Sequence, residues 1–185
     1  MKKVLNITTD IPIKTYNNIA YPLSIIFGNI PDANDWLFTK SFRLKYGSEV
    51  SDITLNLPYN IDWDCFEKNI VKNSMSKDDI MDEILRENYV YLAVDEKFIP
   101  KRLNYQKKNF IHDILVYGFD DVQNSFYVIG FDEQQNYICQ PVDYATLETA
   151  INSANSVISY NSFDYEFFGA GNNFSLKLKP SNCSV

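Results

Sequence analysis

The sequence predicts an α+β protein, with helices concentrated in its first half and a largely antiparallel sheet formed mainly by its second. Three observations carry that expectation. Apolar residues recur at helical spacing in three early segments, strand-forming runs cluster from Tyr89 onward, and 185 residues with 45% hydrophobic content suffice for one substantial core. Segregation of the two patterns, as opposed to regular alternation, separates α+β from α/β. Thirteen Tyr and thirteen Phe beside 22% charged residues fit a packed chain and argue against disorder. Residues 1–185 are read as a single domain.

The first helix is expected over Tyr16 to Phe27, where Ile19, Leu23, Ile26 and Phe27 give helical spacing and Gly28 supplies a stop. Pro22 costs that helix a backbone hydrogen bond. The aromatic-rich stretch 34–44 has no decisive pattern. Ser51 to Leu57 alternates as a short strand and ends at Pro58-Tyr59-Asn60. Two helices are then expected, over Asp62 to Lys72 and Ser76 to Arg86. The second opens on Ser76-x-x-Asp79, which can satisfy two orphan backbone donors reciprocally, and has an apolar face of Ile80, Met81, Ile84 and Leu85.

Tyr89 to Val94 is rich in β-formers and is the clearest strand of the chain. A loop from Asp95 to Asn109 leads into a strand holding His112, the one histidine present. Asp120 to Asn124 makes a turn, Ser125 to Gly130 a strand, and Tyr137 to Pro141 another. Asp143 caps a helix running to about Ser153. Phe163 to Phe168 and Phe174 to Leu178 are expected as strands around the loop 169–173.

Composition narrows the function. A net charge of -7 with interspersed signs disfavours nonspecific binding to nucleic acid or anionic lipid. The densest basic positions, Lys101-Arg102 and Lys107-Lys108, read as a solvated loop. The N-terminus lacks the apolar core and cleavage site of a signal peptide, and the apolar stretch from Ile19 to Ile30 is interrupted by Pro22, Ser24, Gly28 and Asn29. Neither a leader nor a membrane span is expected, and the setting reads as cytoplasmic. Cys65, Cys139 and Cys183 are widely spaced, with no CxxC pair, so neither a zinc site nor a disulfide framework is expected. No metal or cofactor is called for.

His112 lies inside an apolar strand, where a packed imidazole is the ordinary reading, but its surroundings resemble something specific. Tyr89-Val90-Tyr91-Leu92-Ala93-Val94-Asp95-Glu96-Lys97-Phe98-Ile99-Pro100, then Tyr105-Gln106, Phe110-Ile111-His112-Asp113 and Tyr117-Gly118-Phe119-Asp120, resemble the N-terminal domain family of the butirosin biosynthesis protein H. That family is papain-like, related to the C39 peptidases. The resemblance covers about Tyr89 to Asp132. It implies a papain-like fold and acyl transfer from a carrier-protein thioester, through an enzyme cysteine, to an amine. In such chemistry a thiolate attacks, a histidine carries the proton, and an acid or amide fixes the imidazole tautomer.

Carried over by position, His112 matches the family's histidine and Asp132, after the following strand, its orienting acid. Asp113 alternates to the other face of the strand and is a poor partner. The family's cysteine opens an early helix, and the nearest alignment puts that position at about Asn18, beside Asn17, with Ser24 two turns further on. No cysteine is within forty residues. The start of this helix could still stabilise an oxyanion through its backbone N–H groups. Tyr105 and Asp95 are candidate cleft residues, against plain readings as a loop aromatic and a turn residue. Cys65, expected in the first turn of a helix, could be a nucleophile, although a small buried residue is the ordinary reading. Cys139 is expected to be packed and Cys183 exposed in a polar tail.

Three functions follow. The first is an acyltransferase or amide-forming enzyme of peptide or specialised-metabolite assembly, using His112 and Asp132 on a carrier-bound thioester. The second is a catalytically inactive papain-like domain that binds a carrier protein, peptide or small molecule. The third is a cysteine hydrolase using Cys65. The family usually continues into a further helical region beyond the position of Pro180.

Overall fold

In the computed structural model the described residues are 1–41, 65–160 and 173–183. They form β1 (Lys2–Val4), α1 (Asn17–Asn29), α2 (Ala33–Ser41), β2 (Phe66–Val71), α3 (Lys77–Leu85), β3 (Tyr89–Asp95), β4 (Ile111–Asp120), β5 (Ser125–Phe131), β6 (Tyr137–Asp143), α4 (Tyr144–Tyr160) and β7 (Asn173–Leu178). Short 3-10 turns occupy Glu96–Phe98 and Pro180–Cys183. This is a mixed α+β architecture. The expected strands at 51–57 and 163–168, and the start of the helix expected from Asp62, lie outside the described residues.

One antiparallel sheet of seven strands runs in the order β2-β7-β3-β4-β5-β6, and β1 joins it on β4. β3 pairs with β4 from Asp95–Ile111 to Val90–Val116. Beyond that point β1 takes over the same edge of β4, with Val4 opposite Gly118. The approach demands glycine, because a Cβ on Gly118 would stand 2.8 Å from the Lys3 carbonyl oxygen. The ladder between β4 and β5 shifts register between Val116 and Gly118, a bulge that bends β4 where β1 arrives.

The core lies where the helices meet this sheet. Leu92, Ile114, Leu115, Val116, Val128 and Ile129 are fully buried, as are Tyr21, Leu23, Ile25 and Ile26 of α1 and Leu147, Ala150 and Ile151 of α4. α1 runs through Pro22 unbroken and continues to Asn29, past the expected stop at Gly28. Deep burial of this helix outweighs one missing backbone bond of a few kcal/mol. α3 carries the expected capping box: the Ser76 hydroxyl accepts from Asp79 N and the Asp79 carboxylate accepts from Ser76 N. Asp143 Oδ1 accepts from Ala145 N at 2.9 Å and Thr146 N at 3.3 Å, capping α4.

The segment expected as a helix from Asp62 to Lys72 is instead β2 over its described part. Phe66 is buried and Glu67 to Ile70 are exposed, and every residue from Phe66 to Val71 is paired with β7. Phe66 and Ile70 have helical spacing, but sheet pairing overrides that local preference. The cysteines also differ from expectation. Cys65 and Cys183 are both buried and joined by a disulfide, with Cα atoms 5.3 Å apart. Cys183 therefore tucks beneath β2, and Cys139 is an exposed free thiol on β6. Among the described residues no helix is long and apolar enough to cross a membrane.

Candidate functional site

His112 is the second residue of β4 and faces Val94 across the β3 ladder. The ladder between β4 and β5 ends at Leu115–Ile129. Beyond it the buried Arg102 guanidinium donates to the β5 carbonyls of Phe131 and Ile129. Gly130 is required beside it, since a Cβ there would collide with the guanidinium. Arg102 thereby fastens the β3–β4 loop to β5, and Gln140 Nε2 adds a bond to the Pro100 carbonyl at 3.1 Å.

The same loop is held at its other end by Asp95. This fully buried carboxylate accepts from Lys97 N at 3.1 Å, Phe110 N at 2.9 Å, Asn109 Nδ2 at 2.8 Å and Ser153 Oγ at 2.8 Å. Asp95 thus closes the loop on itself and ties it to α4. These four donors occupy the carboxylate, and among the described residues the polar groups set against His112 are those of Glu96 and Asn17, not Asp95.

Among the described residues, two side chains bring polar atoms to His112 Nδ1. Glu96 Oε1 stands 3.4 Å away and Asn17 Nδ2 3.3 Å away. Burial pushes the Glu96 carboxyl up, but His112, the Asn104 amide and the Arg102 charge together outweigh it and leave Glu96 below the ordinary range. Asn104 donates to its other oxygen at 3.0 Å. Nδ1 therefore faces an acceptor, the Glu96 carboxylate, and a donor, the Asn17 amide, and the two contacts favour opposite tautomers. The His112 side chain is 40% exposed. Phe110, itself exposed, leans over the ring at 5.5 Å between centroids.

Asn17 occupies the first turn of α1 and is buried. Its Nδ2 also donates to the Asp113 carbonyl at 3.2 Å, which fixes the amide orientation: exchanging O and N would set two oxygens against each other. Tyr21 donates to the same carbonyl at 2.9 Å. The Asn17 Oδ1 is buried with no hydrogen-bond partner. Ile19 N and Ala20 N both donate to the Tyr16 carbonyl, so these two N–H groups are committed within the helix start.

Several expected positions fall elsewhere. Asp132 does not orient His112: its carboxylate accepts from Gln134 N at 2.9 Å, Asn136 N at 2.8 Å and Asn136 Nδ2 at 3.0 Å, closing its own turn. The Asn136 side chain and the turn N–H groups hold this carboxyl below its ordinary range. Continuing the β4–β5 register would set Asp132 opposite His112, but the ladder stops three residues short. Asn18 is exposed, whereas its neighbour Asn17 faces the imidazole. Ser24 is fully buried and shares a 2.9 Å hydrogen bond with Tyr137 Oη, away from the cleft. Tyr105 is half-buried, and its hydroxyl accepts from Gln106 Nε2 at 3.2 Å. Cys65 is bonded to Cys183, so no thiol is left there to act. Asp113 turns its side chain to Tyr91, whose hydroxyl donates at 2.6 Å; burial pushes the Asp113 carboxyl up despite that bond.

Glu96, Asn104 and Arg102 are the site residues that the motif reading missed. A signal for Glu96 was present. It follows a strand in which Val94 opposes His112, and i+2 alternation makes Glu96 the diagonal cross-strand neighbour of the imidazole. Among the described residues no group of His, Cys, Asp and Glu could hold a metal ion. No family model matches the chain, and no curated protein matches it.

Proposed function

We propose that this chain is a papain-like domain of peptide or specialised-metabolite assembly that holds an acyl or amide group, brought by a carrier protein, without capturing it covalently. One observation carries the reading: the side chain facing His112 from the start of α1 is the Asn17 carboxamide, 3.3 Å from Nδ1. That is the distance of a nucleophile and base pair, but a carboxamide nitrogen delocalises its lone pair into the carbonyl and forms no acyl-enzyme. The resemblance of residues 89–132 to the butirosin protein H family supports the acyl class of ligand. The Cys65–Cys183 disulfide counts against the third reading, a hydrolase using Cys65.

A second reading is favoured by Glu96. In the tautomer that donates from Nδ1 to Glu96, at the expense of the Asn17 contact, Nε2 can act as a general base for direct aminolysis. The amine nitrogen would bond to the acyl carbon, the C–S bond would break, and His112 would pass the amine proton to the departing thiolate. No covalent enzyme intermediate is needed.

The test uses an acyl-pantetheine thioester, with and without a primary amine. Expected for the first reading is reversible binding by calorimetry, no acyl mass on the intact protein, no turnover, and binding weakened by His112→Ala or Glu96→Gln. Amide product that disappears in His112→Ala establishes the second reading in its place. A stable acyl adduct on the wild-type protein sinks both.

A further inference from the structure

We infer that the outer face of the β3–β4 loop is a docking surface for an acidic protein, which in the reading above is the carrier; the partner's identity rests on that reading. The chain as a whole is acidic, with 24 Asp and Glu against 17 Lys and Arg. Yet the stretch from Lys97 to Phe110 holds Lys97, Lys101, Arg102, Lys107 and Lys108 and no acid at all. Sequence spacing alone suggests a solvated loop. The fold gives these residues a common setting.

Arg102 is turned inward and committed to the β5 carbonyls, which leaves four lysines for the surface. Lys101, Lys107 and Lys108 are exposed and Lys97 is half-buried. Where their ammonium groups have partners, those are neutral: Lys107 Nζ donates to the Leu103 carbonyl at 2.8 Å and Lys97 Nζ to Asn109 Oδ1 at 3.3 Å. Among the described residues none of the four is ion-paired to a carboxylate, whereas Lys2, Lys3, Lys72 and Lys179 all are. Asp132 and Glu133 flank only one end, where Glu133 N donates to the Lys101 carbonyl at 2.8 Å.

The same loop carries two large exposed apolar side chains, Leu103 at 48% and Phe110 at 41% exposure. Exposed apolar side chains beside charged ones are the composition of a protein interface, and a solvated loop has no need of them. Phe110 also leans on the His112 ring, so the surface reaches the imidazole. Asp95 at one end and Arg102 in the middle hold the loop in shape, which lowers the ordering cost of binding. The acidic remainder of the chain repels long polyanions that would have to cross it, while a compact acidic protein can meet the loop alone.

The test measures fluorescence anisotropy of a labelled, acylated acyl carrier protein with the full chain. The wild type is compared with the triple variant Lys101→Glu/Lys107→Glu/Lys108→Glu, with Leu103→Ala, and with Lys177→Glu, on β7 toward the other end of β3, as a control. Binding is expected to fall about tenfold or more in the triple variant and on raising salt from about 50 to about 300 mM. Leu103→Ala should weaken it at both salt concentrations, and Lys177→Glu should leave it unchanged. Acyl-pantetheine, which lacks the protein surface, should bind the wild type and the triple variant equally, showing that the variant is folded and its cleft intact. If the carrier binds wild type and triple variant alike while acyl-pantetheine still binds, the docking surface is wrong and the cleft reading survives. If neither probe binds the wild type, both fail. Preference of the lysine face for single-stranded RNA or phosphatidylserine vesicles over the carrier overturns the partner class.

Discussion

Replacing Asp95 with alanine removes a buried carboxylate from four donors at once: two backbone N–H groups, the Asn109 amide and the Ser153 hydroxyl. Each bond to a charged acceptor is worth about 1.5–3 kcal/mol, but losses within one network do not add, because the loop relaxes as a unit. A net cost of about 3–5 kcal/mol is expected, as for other broken buried networks. For a chain of this size that lowers Tm by roughly 6–20 °C, at about 2–4 °C per kcal/mol. Asp95→Asn keeps one acceptor oxygen for the two backbone donors and loses the charge, so about 1–3 kcal/mol is expected. Urea unfolding followed by circular dichroism gives the stability change. The chain has one histidine, so its imidazole NMR resonances are unambiguous and report the loop directly. They should shift in Asp95→Asn at temperatures where the sheet remains folded. A cost below about 1 kcal/mol for the alanine variant, or an unmoved His112 signal in the asparagine variant, refutes the idea that this carboxylate holds the loop.

Two further outcomes concern stability. Hydrogen bonds from Lys72 and Ser76 hold the Asp79 carboxyl at about 2, below its usual 3.8, so its contribution is present above the usual value and is lost as pH falls toward the folded value. Urea midpoints measured between those two pH values should therefore decline for the wild type more than for Asp79→Asn, and parallel curves would exclude this role. The Cys65–Cys183 disulfide spans 118 positions of sequence. Its loss in Cys65→Ser/Cys183→Ser should cost about 2–5 kcal/mol under nonreducing conditions, and an unchanged denaturation curve counts against it.

Much of the fold was legible because local rules and tertiary pairing agree. Ser76 and Asp79 cap α3 as a pair, Asp143 caps α4, and the apolar run at Tyr89 becomes a strand buried along its whole length. β2 was misread because its few apolar residues fit a helix, and only its partner β7, a hundred residues away in sequence, decides otherwise. The site was legible in part. His112 was placed on the correct strand, and the start of α1 was brought to it, one residue from the expected position. The acid was not found, because extending a strand register assumes the ladder continues. The β4–β5 ladder ends at Leu115–Ile129, and the carboxylate that stands beside His112 is that of Glu96, from the β3–β4 loop, and not Asp132. The disulfide was invisible for a related reason: wide spacing in sequence says nothing about proximity in the fold.

In the proposed binding reading, the Asn17 carboxamide, tied to the Asp113 carbonyl, would also set how a ligand leaves. An enzyme with a thiolate at such a position stores its cargo in a bond, and release waits on a second chemical step. With a carboxamide there, occupancy would follow free ligand concentration and end at the dissociation rate. One ligand could then replace another without either being consumed, and thiol-directed inhibitors would find no sulfur at residue 17.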